Sequence, residues 1–185
     1  MIPLRLRRKH LRAPLNTHYL FEGDRVIEKG LVENISEGGL LLSGRQMNSP
    51  KKPFSIYFDL PEIVNFSSMP ISEILSVGKE NFKHHIIFAE LEMRRALPEG
   101  ENKKHLLGCE FTNIDHDSQS LIKEYVSNYA ANIIFTLALF EQGVHRQDVK
   151  ELIQKSVNLM NYPLVDKMTD LRQKLLHDYQ SLESL

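Results

Sequence analysis

From about residue 14 to residue 113, apolar residues recur at every second position in short runs that Gly, Pro, Asn and Asp interrupt. That period sends successive side chains to opposite faces of an extended chain, so this half reads as strands joined by turns. In PFSIYFDLP, Phe54, Ile56, Phe58 and Leu60 share one face while Ser55, Tyr57 and Asp59 share the other. In HIIFAELEMRRAL, Ile87, Ala89, Leu91 and Met93 alternate with Phe88, Glu90, Glu92 and Arg94. Both runs suit half-buried antiparallel strands. The pattern predicts strands near 15–22, 25–35, 39–43, 54–60, 84–96 and 105–113. Six strands with little helix between them point to a barrel or a sandwich.

Residues 61–82 are too long for a tight hairpin, and they contain ISEIL, enough for one or two helical turns. This insertion is expected to pack as a surface segment, with a lid or contact surface as the alternative. After Asp115 the apolar period becomes helical. One helix opens on an Asp or Ser cap and stops near Gly143. A second carries Val149, Leu152, Ile153, Val157 and Met160 on one stripe and breaks before Pro163. A third spaces Leu164, Met168, Leu171, Leu175 and Leu182 like a short heptad seam, which would serve either packing within the chain or a homo-oligomer.

Composition narrows the class. At 185 residues, 42% hydrophobic and 25% charged, the chain reads as an ordinary folded protein, long enough for one domain or for one domain plus an accessory segment. The longest apolar stretch, residues 126–140, contains Ser127, Asn128 and Asn132 and falls short of the roughly 18 apolar residues of a membrane span. A lone cysteine, Cys109, excludes an intramolecular disulfide and a cysteine-rich zinc site, and it fits a cytoplasmic location. Cys109 lies among apolar residues and reads as a core thiol. The Asp115-His116-Asp117 triplet and the His84-His85 pair lack the separated second set of ligands that a metal site needs, so capping and surface roles are expected. Nothing here composes a catalytic centre, and the protein is expected not to be an enzyme and to need no cofactor.

Charge is uneven along the chain. Five Lys or Arg and no acid fall in the first twelve residues, on a chain with 23 basic and 24 acidic residues. Within that tail, Arg8 and Arg12 are separated by three residues, and about two dozen residues further on comes Asn34-Ile35-Ser36-Glu37-Gly38-Gly39. Either element alone is a basic tail or a glycine turn. Together, and followed by the apolar GGLLLSG, they resemble the PilZ domain family. That family's RxxxR pattern is matched by Arg8 and Arg12, and its [D/N]xSxxG pattern by Asn34, Ser36 and Gly39. Gly108 and Phe111 in LLGCEFTNI are similar to its last barrel strand. The likeness covers roughly residues 5–117.

The resemblance implies a mainly β fold, a six-stranded antiparallel PilZ-type barrel, here followed by C-terminal helices. The expected plan is a basic tail over 1–13, the barrel over 14–117 and a helical extension over 118–185. It also implies cyclic di-GMP as ligand, held by Arg8, Arg12, Asn34, Ser36 and Gly39, with Arg7 and Gly38 as further candidates. In the family a basic residue at the place of Arg7 accompanies binding of a stacked ligand pair. Arg45 adds charge nearby but matches no family position.

The chemistry agrees with such a ligand. Guanidinium forks onto phosphate and onto guanine O6 and N7, an Asn amide pairs with a guanine edge, and a Ser hydroxyl donates to phosphate. A tail that becomes ordered over the ligand could pass the signal to a protein partner. Two rivals remain. A barrel with a basic arm could hold single-stranded nucleic acid, but the 23 basic residues less the five in the tail leave 18 against 24 acidic ones. The other is a PilZ-type interaction domain without ligand, which the intact motif residues oppose.

Overall fold

In the computed structural model, the structure describes residues 10–22, 27–44, 53–97, 105–162 and 167–183. Arg7, Arg8, Arg45, Pro163 and Leu164 lie outside them. Six strands form where the period-two pattern places them: β1 (Ala13–Glu22), β2 (Ile27–Ser36), β3 (Gly39–Gly44), β4 (Phe54–Pro61), β5 (His84–Leu97) and β6 (His105–Asn113). All pairings are antiparallel and the sheet closes in the order β1-β2-β3-β6-β5-β4. Closure removes every free edge and leaves a filled interior.

The inward face of β4 is the one its alternation predicts, with Phe54, Ile56, Phe58 and Leu60 buried. Ile87, Ala89 and Leu91 of β5 and Leu107 and Cys109 of β6 complete that side of the core. Burying each large side chain contributes roughly 1.5–3 kcal/mol. Outward, Leu20, Tyr57 and Phe88 pair across β1, β4 and β5 as an exposed apolar row.

Among the described residues, four α-helices follow or interrupt the barrel: α1 (Ile71–Ser76), α2 (His116–Glu141), α3 (Gln147–Leu159) and α4 (Met168–Glu183). The Asp115 carboxylate accepts from the Ser118 amide at 2.8 Å and so caps α2. Hydrogen bonding from the Ser118 side chain, and then from its amide, holds the Asp115 carboxyl below its ordinary pKa. Gly143, at φ +103°, ends the helical run in the left-handed region. The end of α3 is set by Asn161, at φ +54°, with the Tyr162 amide donating back to the Val157 carbonyl at 2.9 Å. This Schellman arrangement stops the helix before the proline that the sequence makes the obvious breaker.

The chain divides into two compact units. One is the barrel with the start of α2, over Arg12–Glu62 and Lys83–Val126. The other takes in Ile63–Phe82 and the chain from Ser127 onward. The insertion therefore belongs with the helices. It buries Ile63, Phe66 and Ile74, and its backbone is hydrogen-bonded by the side chains of Asn128 and Asn132 of α2. It is a packed segment. The α3 stripe is buried throughout, as are Leu171 and Leu175 of the α4 seam. No helix among the described residues is long and apolar enough to cross a membrane.

Candidate functional site

Asn34 and Ser36 end β2, and Glu37-Gly38 turns the chain into β3. Ser36 faces Gly39 across the hairpin, and its hydroxyl donates to the Gly39 carbonyl at 3.2 Å. The spacing of two places Asn34 and Ser36 on one face, while Ile35 between them is wholly buried in the core. Both polar side chains therefore lie on the side of β2 away from the core, Asn34 half-buried and Ser36 buried beneath the turn. Asn34 makes no side-chain hydrogen bond among the described residues, which leaves its amide available to a ligand edge.

A bulge supports this face. The β2–β3 register shifts between Val32 and Asn34, making Glu33 the extra residue. Without it, Val32 and Ile35, three apart, would point to opposite sides; with it, both are buried and Glu33 and Asn34 both turn outward. The Ser43 hydroxyl, on β3, donates to the Glu33 carboxylate and holds the bulged residue. Sequence reasoning missed Glu33, although the broken alternation between Val32 and Ile35 was the available signal.

The first motif reaches the same place through β1. Ala13 pairs with Ile35 and Pro14 with Asn34. Continuing that register by one residue sets Arg12 opposite Ser36. Ala13 and Ile35 are both fully buried, so their neighbours Arg12, Asn34 and Ser36 share the outward face. A second element fastens this corner: the Tyr125 hydroxyl of α2, within the same unit, donates to the Pro14 carbonyl at 2.6 Å. Burial pushes the Tyr125 phenol above its ordinary range.

Gly39 has a structural task of its own. A Cβ added there would stand 2.0 Å from the Cys109 carbonyl oxygen on β6. Gly38 contributes a carbonyl that accepts from the Phe111 amide at 3.1 Å, tying the turn to the last strand. The turn is thus docked on β6 by the close approach that Gly39 permits and by the Gly38 carbonyl.

The remaining candidates separate from this cluster. His84 meets Asp59 at 2.7 Å and His85 meets Glu62 at 3.2 Å. No group of three metal-ligating side chains occurs among the described residues. Cys109 is buried and its thiol is pushed up to about 12 by desolvation.

The profile of the PilZ domain family matches residues 6–128. No curated protein matches the chain. Among solved structures, the Bacillus subtilis inhibitor of motility MotI/DgrA is similar at TM-score 0.47 and 16% identity, covering 66% of this chain and 51% of that one. The MrkH–c-di-GMP complex of K. pneumonia is similar at TM-score 0.43 and 16% identity, covering 75% and 55%. The PilZ domain of YcgR from Escherichia coli, with c-di-GMP, is similar at TM-score 0.37 and 15% identity, covering 66% and 91%. The chain spans about half the length of the MotI and MrkH structures. The family match covers well over half of the chain, so the chain belongs to the PilZ domain family. Its match runs past the barrel into α2 and ends near Val126, where the barrel unit ends.

Proposed function

We propose that this PilZ-domain chain is a cyclic di-GMP receptor and not an enzyme. The observation that carries the reading is the convergence of Arg12, Asn34 and Ser36 on one outward face beside the Glu37-Gly38 turn. Arg12, with Arg8 and Arg7 from the segment before it, would fork onto phosphate and guanine edges. Asn34 would read a guanine edge and Ser36 would donate to a phosphate. Gly38 and Gly39 keep the hairpin low against β6, so the ligand can lie close to the backbone.

Ligand would draw residues 5–13 against the barrel and change the surface offered to a protein partner. The Tyr125–Pro14 hydrogen bond gives such a change a physical route to α2, because Pro14 lies between Arg12 and the body of β1. The same reading places the protein in the cytoplasm, where a soluble dinucleotide messenger would reach it. Self-association through α4 is the weaker reading of its seam, since Leu171 and Leu175 are already covered within the chain.

Calorimetric titration with cyclic di-GMP tests the reading, with Arg8→Ala and Arg12→Ala alongside. Saturable heat with wild type that both variants lose supports it. No heat with wild type at tens of micromolar ligand sinks it.

A further inference from the structure

Four strands carry one continuous outward row across the barrel: Asn34 pairs with Leu41, Leu41 with Gly108, and Gly108 with Arg95. The row faces outward because its strand neighbours Ile35, Leu40, Leu42, Leu107 and Cys109 are buried. At its far end a bulge in β5 makes Arg94 the extra residue between Met93 and Arg95. Bulges re-aim side chains. Arg94 is sent to two carboxylates, Glu110 at 2.5 Å and Glu92 at 3.1 Å. Arg95 is left exposed, with neither hydrogen bond nor ion pair among the described residues.

Arg95 does not stand off into solvent. A Cβ built on Gly108 would lie 2.9 Å from Arg95 Cγ, 3.0 Å from Nε and 3.5 Å from Cδ. The stem therefore lies flat across β6, leaning towards β3 and the motif hairpin, in the groove that the missing side chain leaves. Strands are about 4.8 Å apart, so this lean brings the guanidinium to within roughly two strand spacings, about 10 Å, of Asn34. Between them lie only Gly108 and the half-buried Leu41, a flat apolar floor for a purine. Glu110, two residues along β6 from Gly108, is already held by Arg94.

We propose that Arg95 is a further ligand-binding residue of this site, a cation on the opposite side from Arg12 that takes a phosphate or guanine edge of a cyclic dinucleotide lying over Leu41 and Gly108. The proposal rests on the receptor reading above, and it adds the orientation of the ligand across β2, β3 and β6.

The test is titration of the full chain with cyclic di-GMP, comparing wild type, Arg95→Ala, Arg95→Lys and Lys29→Ala. Lys29 removes the same charge at the other end of β2, roughly 23 Å along the strand from Ser36. Arg95→Ala should weaken binding on the order of ten- to a hundredfold, as for loss of a charge-assisted hydrogen bond. Arg95→Lys should recover part of that loss, and Lys29→Ala should stay within about twofold of wild type. Wild-type binding with Arg95→Ala no weaker than Lys29→Ala overturns the role of Arg95 and leaves the receptor reading standing. Absence of binding by wild type overturns both.

Discussion

Asn132, wholly buried on α2, holds the backbone at Phe66 from both directions. Its side-chain oxygen accepts from the Phe66 amide at 2.8 Å and its amide nitrogen donates to the Val64 carbonyl at 2.8 Å. Residues 62–65 have no regular structure of their own, so these bonds satisfy backbone groups that would otherwise be buried without partners. Replacing Asn132 by Leu keeps the branching of the side chain and orphans both backbone groups. Chemical denaturation should show a loss of about 2–4 kcal/mol. A loss below about 0.5 kcal/mol would mean that water satisfies the segment instead.

Gly39→Ala separates the structural part of the motif from its ligand-binding part. The added methyl meets the Cys109 carbonyl, which is backbone and cannot rotate away. Stability should fall by at least about 1–3 kcal/mol even without ligand. Unchanged thermal unfolding would show that β3 and β6 can part at no cost.

Asn34→Ala and Ser36→Ala should behave differently from Gly39→Ala. Asn34 is half-buried with no partner among the described residues to lose, and Ser36, although buried, gives up one 3.2 Å bond to the Gly39 carbonyl. Each should weaken cyclic di-GMP binding roughly tenfold while shifting stability by no more than about 1 kcal/mol. Because arginines facing a dianion are screened, wild-type affinity should also fall as salt rises. Affinity independent of salt between about 50 and 500 mM would contradict arginine clamping.

Cys109 sets a pH limit. Desolvation raises its thiol to about 12 from an ordinary 9.0. The protonated thiol is thus favoured in the folded state. Its contribution is complete below pH 9 and is lost as pH rises from there towards 12. Native protein at pH 8 should react with iodoacetamide many times more slowly than urea-unfolded protein. Equal rates would show that the thiol is accessible in the native state.

What the sequence determined by itself is what short-range physics decides. Alternation around Phe54–Leu60 and Ile87–Met93 set strands and their inward faces, because extended backbone has a period of two whatever surrounds it. The Asp115-His116-Asp117 triplet announced a capping role at the start of α2, which the structure gives to Asp115, and NISEGG announced a polar pair on a turn. Pairing across long separations was decided only in the tertiary structure. Nothing local says that β3 lies beside β6, or that Gly39 is small for the sake of the Cys109 carbonyl. The bulges at Glu33 and Arg94 are likewise settled by which side chains the closed barrel can bury, and they decide that Asn34 and Arg95 face the same way. Residues 63–82 joined the helices because Asn128 and Asn132, polar interruptions in an apolar helix by sequence alone, supply the partners that their backbone requires.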